Sequence, residues 1–290
     1  MNSAWERLEL TYCSNVHPGE GLAQVCGVIR GPIAGVRRRR GLSRMAGGLW
    51  LSQTTAQALT TQQALSRFAR ELEANAITLF TLNGFPARGF HSQRVKESVY
   101  RPDWSEPERL DYTLKLASIL AGLLGADHRQ GTISSVPLGF APDWDPARHT
   151  LALDALCRCA AGLEEIHRET GHQIRVCLEM EPGCVLESTD ALIPFFTEEL
   201  PQHAAAQGLD PYLIDAYLGV CFDVCHQAVM FEDSYEALRR IHGAGIAIGK
   251  IQISSALELP DPRHAEARAT LAGFVEEKYL HQSRCRDAQG

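Results

Sequence analysis

The sequence contains no run of about 20 consecutive apolar residues, the length that a membrane-spanning helix requires. Its opening stretch, MNSAWERLEL, lacks a basic start followed by an apolar core, so we expect no secretory signal. Basic residues are not in excess either, since 28 Lys and Arg face 35 Asp and Glu, for a net charge of −7. Because broad nucleic-acid binding needs a cationic surface, we expect neither a membrane span nor a nucleic-acid partner.

Two motif classes are also missing. No CxxC pair is repeated among the nine cysteines, which argues against a structural zinc ribbon. No GxGxxG follows a predicted strand, which counts against a dinucleotide-binding sheet. The odd number of scattered cysteines indicates reduced thiols that pack as small apolar side chains in a cytoplasmic protein. We interpret the basic run RRRR at 37–40 as a solvated loop.

Seven short β-rich runs alternate with longer helical patterns along the chain, without a linker between them. Strict alternation and a length of 290 residues predict an α/β protein with a TIM (β/α)8-type barrel, and a doubly wound open sheet is the alternative. No eighth strand follows the seventh, so we expect one barrel domain over 1–290 that is incomplete at its C-terminus. The predicted strands are 8–13, 49–52, 76–83, 131–136, 173–179, 217–223 and 246–254.

Polar side chains collect where these strands end, which is where parallel barrels carry their catalytic groups. Because side chains alternate along a strand, Glu179 shares a face with Glu181, and Lys250 shares one with Gln252. Two carboxylates in an apolar barrel mouth repel each other unless a cation or a proton separates them. A divalent metal is an economical solution, and a carboxylate, imidazole and amide set suits Mn²⁺, Mg²⁺, Co²⁺ or Zn²⁺.

Each of these residues also has a simpler interpretation. Asp223 alone is typical of a helix cap, and His226 alone is typical of a loop histidine. Glu181 can be a solvated turn residue, and Lys250 can neutralise a glutamate. These simpler interpretations do not predict that the residues converge at one end of successive strands, and this convergence favours a site.

Several stretches carry a resemblance that spans nearly the whole chain in order: TYCSNVHPGE, FTLNGFP, FHSQRVKESVYRPDW, EMEPGC, GVCFDVCH and GKIQISSAL. They resemble the xylose isomerase-like barrel superfamily, which includes sugar isomerases, ketose 3-epimerases and a DNA-repair endonuclease branch. Within it, the sequence is most similar to the EboE family, whose members are described as metabolite traffic proteins.

The resemblance implies roles for particular residues. Glu179, Asp223 and Gln252 correspond to metal ligands, and Gln252 stands where relatives often have histidine. His226 corresponds to a group that contacts substrate or metal, and Glu179 doubles as the proton-abstracting base. The glutamate that ends the eighth strand in relatives is absent, and with it the second base that epimerisation requires. The catalytic candidates are Glu179, His226 and Lys250.

A connection of about 20 residues, from Asn83 to Trp104, far exceeds the usual two to six residues between a strand and its helix. As a hypothesis, it covers the barrel mouth and offers His91, Arg94 and other cations to an anionic group of the ligand. The alternative is a structural loop whose cations pair with its own acids, Glu97, Asp103 and Glu106. The substrate-binding candidates are His17, Asn83, His91, Arg94 and Glu181.

Three functions remain open at this point. The first is a metal-dependent sugar, sugar-phosphate or cyclitol isomerase or epimerase-like protein, acting through an enediolate in metabolite synthesis or export. The second is a non-catalytic metabolite-binding or traffic protein that uses the same pocket. The third, a metal-dependent phosphodiesterase, is disfavoured by the net charge and by Gln252. A homo-oligomer is left open.

Overall fold

A seven-stranded parallel sheet forms the centre of the molecule. The computed structural model describes residues 10–89, 96–125, 128–275 and 282–286. The strands follow one another in chain order, and each pairs in parallel with the next. They are β1 (Tyr12–Cys13), β2 (Met45–Trp50), β3 (Ile77–Asn83), β4 (Gln130–Ser135), β5 (Gln173–Glu179), β6 (Leu218–Asp223) and β7 (Ile248–Gln252).

Helices alternate with these strands, and most of them pack on the outside of the sheet, whereas the last one has no buried residue. They are α1 (Leu22–Val28), α2 (Ala34–Arg39), α3 (Gln53–Ala58), α4 (Gln62–Ala74), α5 (Pro107–Leu123), α6 (Pro146–Thr170), α7 (Thr189–Pro194), α8 (Leu200–Ala206), α9 (Tyr212–Tyr217), α10 (Val224–Val229), α11 (Ser234–Gly243) and α12 (Ala265–Ala272). Among the described residues, no helix combines the length and the hydropathy that crossing a membrane demands.

The two ends of helix α6 are determined by residues that favour helix starts and helix stops. The Asp145 side chain accepts a hydrogen bond from the Arg148 backbone N–H, and Pro146 occupies the first helical position, where its missing N–H costs nothing. Gly171 ends the helix with a φ of 73°, a left-handed conformation that glycine adopts without steric cost. The helix therefore begins and ends at residues whose chemistry suits those positions.

The sheet is strongly curled. Lys250 on β7 donates a hydrogen bond of 3.3 Å to the backbone oxygen of Leu82 on β3. In a flat sheet these strands would lie four spacings apart, about 19 Å, which is far beyond the reach of a lysine side chain. The curl brings the inward faces of β3 and β7 together and encloses an interior.

The architecture is therefore an α/β, (β/α)8-type barrel that is incomplete, as the alternation predicted. In the part of the chain that the structure describes, seven strands are present, and β1 and β7 pair only with β2 and β6. The doubly wound alternative is wrong, because the strands run in sequence order without the reversal that such a sheet requires.

The core lies between the outer face of the sheet and the helices. Every residue of β2 and of β6 is buried. Arg109 on α5 is buried with them, and it donates from Nε to the Pro102 oxygen at 2.7 Å and from Nη1 to the Gly84 oxygen at 2.8 Å. Burial lowers the pKa of Arg109 to about 10. Its guanidinium ties the start of α5 to the backbone that leaves β3.

The nine cysteines follow the sequence prediction, whereas the basic run at 37–40 does not. All nine cysteines are free thiols, as expected. The run at 37–40 is not a loop, because Arg37 to Arg39 form the last turn of α2, where the helix dipole favours cations. Arg40, which follows the helix, is buried and donates a hydrogen bond to the Leu10 oxygen at 2.9 Å.

Gly84, just beyond β3, provides a test of the packing beside the barrel mouth. A Cβ at this position would lie 2.7 Å from the Ser134 oxygen and 2.9 Å from Ile133 Cγ2, and the Ser134 oxygen is backbone that cannot move aside. We expect Gly84→Ala to lower the free energy of unfolding by about 1–3 kcal/mol. Denaturation with urea measures the change.

The matched control is Gly27→Ala on α1, where nothing lies within 4 Å of the added Cβ. Here the change should be neutral or stabilising by about 0.5–1 kcal/mol, because alanine favours a helix. Equal effects of the two substitutions would contradict the close approach at Gly84.

Candidate active site

Three strand ends meet through one amide group. Glu179, Asp223 and Gln252 are the last residues of β5, β6 and β7, and the two carboxylate residues are each 6% exposed. Gln252 Nε2 donates to Glu179 Oε1 at 2.7 Å and to Asp223 Oδ2 at 3.1 Å. The structure therefore brings together the three residues that the sequence analysis named as metal ligands.

Asp223 uses its two oxygens differently. Oδ1 accepts from the backbone N–H of Cys225 at 2.9 Å and of His226 at 3.4 Å, and from the Ser254 hydroxyl at 2.5 Å. Asp223 is thus the cap of α10, as the simpler interpretation predicted. In the described part of the chain, Oδ2 accepts only from Gln252, so this oxygen faces the cluster.

His226 is held in one orientation. Its Nδ1 lies 2.8 Å from the backbone oxygen of Met180, and because a carbonyl only accepts, Nδ1 carries the hydrogen; in the neutral ring the lone pair is therefore on Nε2. Nδ1 is also 3.9 Å from Glu179 Oε1. Burial opposes the charged ring, but the carboxylates of Glu179, Glu181 and Asp223 outweigh it and raise the pKa of His226.

The two glutamates after β5 are both less acidic than usual. Burial raises the pKa of Glu179, and the Asp223 charge adds to this against the opposing effect of His226. Burial also raises the pKa of Glu181 to about 7. Glu181 Oε1 accepts from Tyr100 at 3.0 Å and from Gln282 at 3.3 Å, while Oε2 is buried without a partner among the described residues. The interpretation of Glu181 as a solvated turn residue is wrong.

Lys250 belongs to a second polar group that crosses the barrel. Its Nζ donates to Asn83 Oδ1 and to the Leu82 oxygen, and Asn83 Nδ2 in turn donates to Asn15 Oδ1 at 2.7 Å. Lys250 forms no ion pair with a glutamate in the described part of the chain, contrary to the simpler interpretation. Its charge still acts on Glu179 by lowering the pKa of that carboxyl, against the larger effect of burial.

Other predicted residues lie apart from this cluster or outside the described residues. His17 Nε2 is 2.9 Å from the Tyr12 hydroxyl, a local contact that does not involve the strand-end carboxylates. His91 and Arg94 lie outside the described residues. Arg101, from the same long connection, pairs with Asp103 at 2.6 Å and with Glu106 at 3.0 Å, as the structural-loop alternative predicts.

Three contributors were missed by the sequence analysis. Ser254 could have been found, because it shares the inward face of Gln252 at a spacing of two residues. Cys225, two residues after Asp223, was counted only among the nine reduced thiols. Tyr100 had no periodic signal, since it comes from an irregular connection, and only the fold stacks it between Phe85 and Phe140 with its hydroxyl on Glu181.

The raised pKa of Glu181 has a measurable consequence. As pH rises from 4.5 towards 7, the unfolded chain gives up this proton while the folded protein keeps it, so the free energy of unfolding falls over that range. The contribution is at most about 3 kcal/mol. We expect Glu181→Gln to flatten the pH dependence in metal-free protein, measured by urea unfolding at pH 5 and pH 8. Glu198→Gln, at an exposed position on the outer surface, is the control, and equal slopes for both variants would contradict the assignment.

Comparisons with known proteins give remote structural similarities. No protein-family model and no curated protein matches the sequence. A xylose isomerase domain protein from Planctomyces limnophilus is 13% identical with a TM-score of 0.49, covering 86% of this chain and 85% of that one. A 3-keto-D-glucoside 4-epimerase from E. coli is 11% identical with a TM-score of 0.47, covering 92% and 100%.

A third solved structure, the IOLI protein with a binding zinc atom, is 12% identical with a TM-score of 0.45, covering 82% of this chain and 70% of that one. These are proteins to which the chain is similar at low identity. The architecture itself is defined by the strand order and by the parallel pairing of β1 to β7.

Proposed function

We propose that this protein is a metal-dependent sugar, sugar-phosphate or cyclitol isomerase or epimerase-like enzyme. It moves a proton on a carbon next to a carbonyl or hydroxyl group, through an enediolate. The observation that carries the proposal is the meeting of Glu179, Asp223 and Gln252 at one point, with His226 beside them. A place in metabolite synthesis or export belongs to the same proposal.

The side chains present fit a divalent cation. Glu179 and Asp223 turn one oxygen each toward the same point, 2.7 Å and 3.1 Å from the Gln252 nitrogen. A half-turn of the Gln252 amide replaces that nitrogen by Oε1, which is a metal ligand. With His226 Nε2 available, the set becomes a mixed nitrogen and oxygen shell suited to Mn²⁺, Mg²⁺, Co²⁺ or Zn²⁺.

Proton transfer is assigned to Glu179. In the described part of the chain its Oε1 accepts from Gln252, and no hydrogen bond reaches Oε2. Burial raises the pKa of this carboxyl, which makes it a stronger base than an exposed glutamate. A buried carboxylate with one oxygen held and the other available is oriented to take a proton from a substrate carbon.

The remaining residues position the substrate and balance its charge. A bound divalent metal supplies Lewis-acid stabilisation of adjacent substrate oxygens. Lys250, held toward Asn83, brings a cation into the barrel interior, where it stabilises negative charge on a substrate oxygen. His226 lies beside Glu179 and presents a ring nitrogen to the bound substrate or metal. Glu181, whose carboxyl is oriented by a hydrogen bond from Tyr100, binds a hydroxyl group of the substrate.

The alternative is a metabolite-binding or traffic protein, like the EboE family that the sequence resembles. The observation that favours it is the hydrogen-bond network in which Lys250 donates to Asn83 and Asn83 donates to Asn15. Such polar side chains suit the binding of a polyol without chemical conversion. The two proposals share a pocket and differ in whether Glu179 exchanges a proton with bound substrate.

Metal content tests the first requirement. We expect Asp223→Asn to lose the bound divalent metal, because it removes one negative charge from the shell while retaining the shape of the side chain. Metal-loaded protein is dialysed, and its metal is quantified by inductively coupled plasma mass spectrometry. Asp233→Asn is the matched control, since Asp233 caps α11 by the same kind of bond, and it should retain the metal. Retention by Asp223→Asn would remove the proposed metal site.

Hydrogen exchange tests catalysis directly. The metal-loaded protein should incorporate deuterium from D₂O next to the carbonyl in at least one member of a panel of ketoses, ketose phosphates and inosose-type cyclitols. Glu179→Gln should slow this exchange by about 10²–10⁴-fold, because the base is lost. Nuclear magnetic resonance follows the loss of the proton signal. A panel that binds without any exchange would favour the metabolite-binding alternative.

A further inference from the structure

We propose that the Cys225 thiolate is a ligand of the same metal, together with Asp223 and His226, and that this sulfur makes the site selective for a borderline-soft cation such as Zn²⁺. The inference rests on the proposed metal site and goes further, because it names a ligand that the carboxylate and amide set does not include. It also predicts which of Mn²⁺, Mg²⁺, Co²⁺ and Zn²⁺ the site prefers.

The first observation is distance. Asp223, Cys225 and His226 each offer one donor atom, and these three atoms lie within 4.8 Å of one another. Two ligands of a tetrahedral zinc ion, each about 2.0–2.3 Å from the metal, are about 3.6 Å apart. The three donors therefore need to close by up to about 1.2 Å, through side-chain rotation, to share one ion.

The second observation is orientation. Asp223 Oδ1 accepts from two backbone N–H groups and the Ser254 hydroxyl, so Oδ2, which accepts only from the Gln252 amide among the described residues, is the oxygen that would face a metal once that amide turns. His226 Nδ1 is occupied by the Met180 carbonyl, so Nε2 is left with its lone pair. Histidine ligands of metals characteristically donate their other N–H to a carbonyl in this way. Each of the two residues beside the sulfur therefore keeps one donor atom for a metal.

The position of Cys225 on its helix explains why it can join them. It lies in the first turn of α10, and its backbone N–H is fixed by Asp223 at 2.9 Å and by the Ser254 oxygen at 3.1 Å. The side chain is half-buried, whereas Cys221, on the preceding strand, is fully buried. Cys225 therefore reaches the strand-end cluster and remains accessible to an incoming ion.

Sulfur in the shell changes which metal is preferred. Carboxylate and amide oxygens suit Mg²⁺ and Mn²⁺, while thiolate and imidazole suit Zn²⁺ and Co²⁺. Coordination replaces the Cys225 S–H bond by an S–metal bond and releases one proton to solvent. An oxygen-only site would bind Mg²⁺ or Mn²⁺ without this release.

Cobalt spectroscopy tests the ligand itself. The 290-residue chain, stripped with EDTA, is titrated with Co²⁺, and we expect a thiolate-to-cobalt charge-transfer band in the near ultraviolet. Cys225→Ser should abolish this band, and it should weaken Zn²⁺ binding by more than the roughly 10–100-fold that loss of an outer-shell partner costs. Mn²⁺ affinity should stay unchanged. Cys285→Ser, at an exposed cysteine, is the matched control and should keep the band.

A second measurement uses the wild-type protein, so its result does not depend on whether the Cys225→Ser variant folds. Zn²⁺ should protect Cys225 from alkylation by iodoacetamide while leaving Cys285 reactive, as followed by peptide mass spectrometry. If Co²⁺ binds with no charge-transfer band, or Zn²⁺ leaves Cys225 reactive, the sulfur ligand is wrong while the carboxylate metal site stands. If wild-type protein binds neither Co²⁺ nor Mn²⁺, the proposed function fails together with this inference.

Discussion

The Gln252 amide between the Glu179 and Asp223 carboxylates is the interaction on which the strand-end site depends. Two buried carboxylates turned toward one point repel each other, and each loses hydration that the interior does not replace. An amide N–H₂ group has two hydrogens, which is enough to satisfy one oxygen of each acid. The same geometry that suits a shared donor would suit a shared cation, which is why the proposed metal site is placed at this amide.

That interaction exists only because the sheet is curled. Asp223 and Gln252 are neighbours in strand register, but Glu179 is opposite Cys221, so its carboxyl must lean along the barrel rim to reach the same amide. The contact from Lys250 on β7 to β3 fixes the curl from the opposite wall. The curvature of the sheet therefore determines which polar side chains meet in the interior, and hydrogen bonds across the barrel keep these side chains in place.

Asp223 links the strand-end site to the helix that follows it. One oxygen caps α10 and the other faces the cluster, so the start of the helix and the site are fixed by one side chain. His226 and Cys225 occupy the first turn of this helix, and their approach to Asp223 follows from the cap. The interpretation of Asp223 as a structural cap is confirmed, and it is compatible with the proposed site role because the two concern different oxygens.

Alternating β-rich and helical patterns in the sequence predicted seven parallel strands, and β5 was predicted to the residue, whereas β2 begins at Met45, four residues before its predicted start. They also predicted that Glu179 and Asp223 end their strands, whereas Gln252 was predicted inside a strand that runs to 254 and ends β7 in the structure. Only the tertiary structure decided that Tyr100 and Gln282 meet Glu181, and that Lys250 faces Asn83 instead of a glutamate. Periodicity reports which face of a strand is inward, while contacts between residues distant in sequence depend on the curvature of the sheet and on irregular connections that have no period.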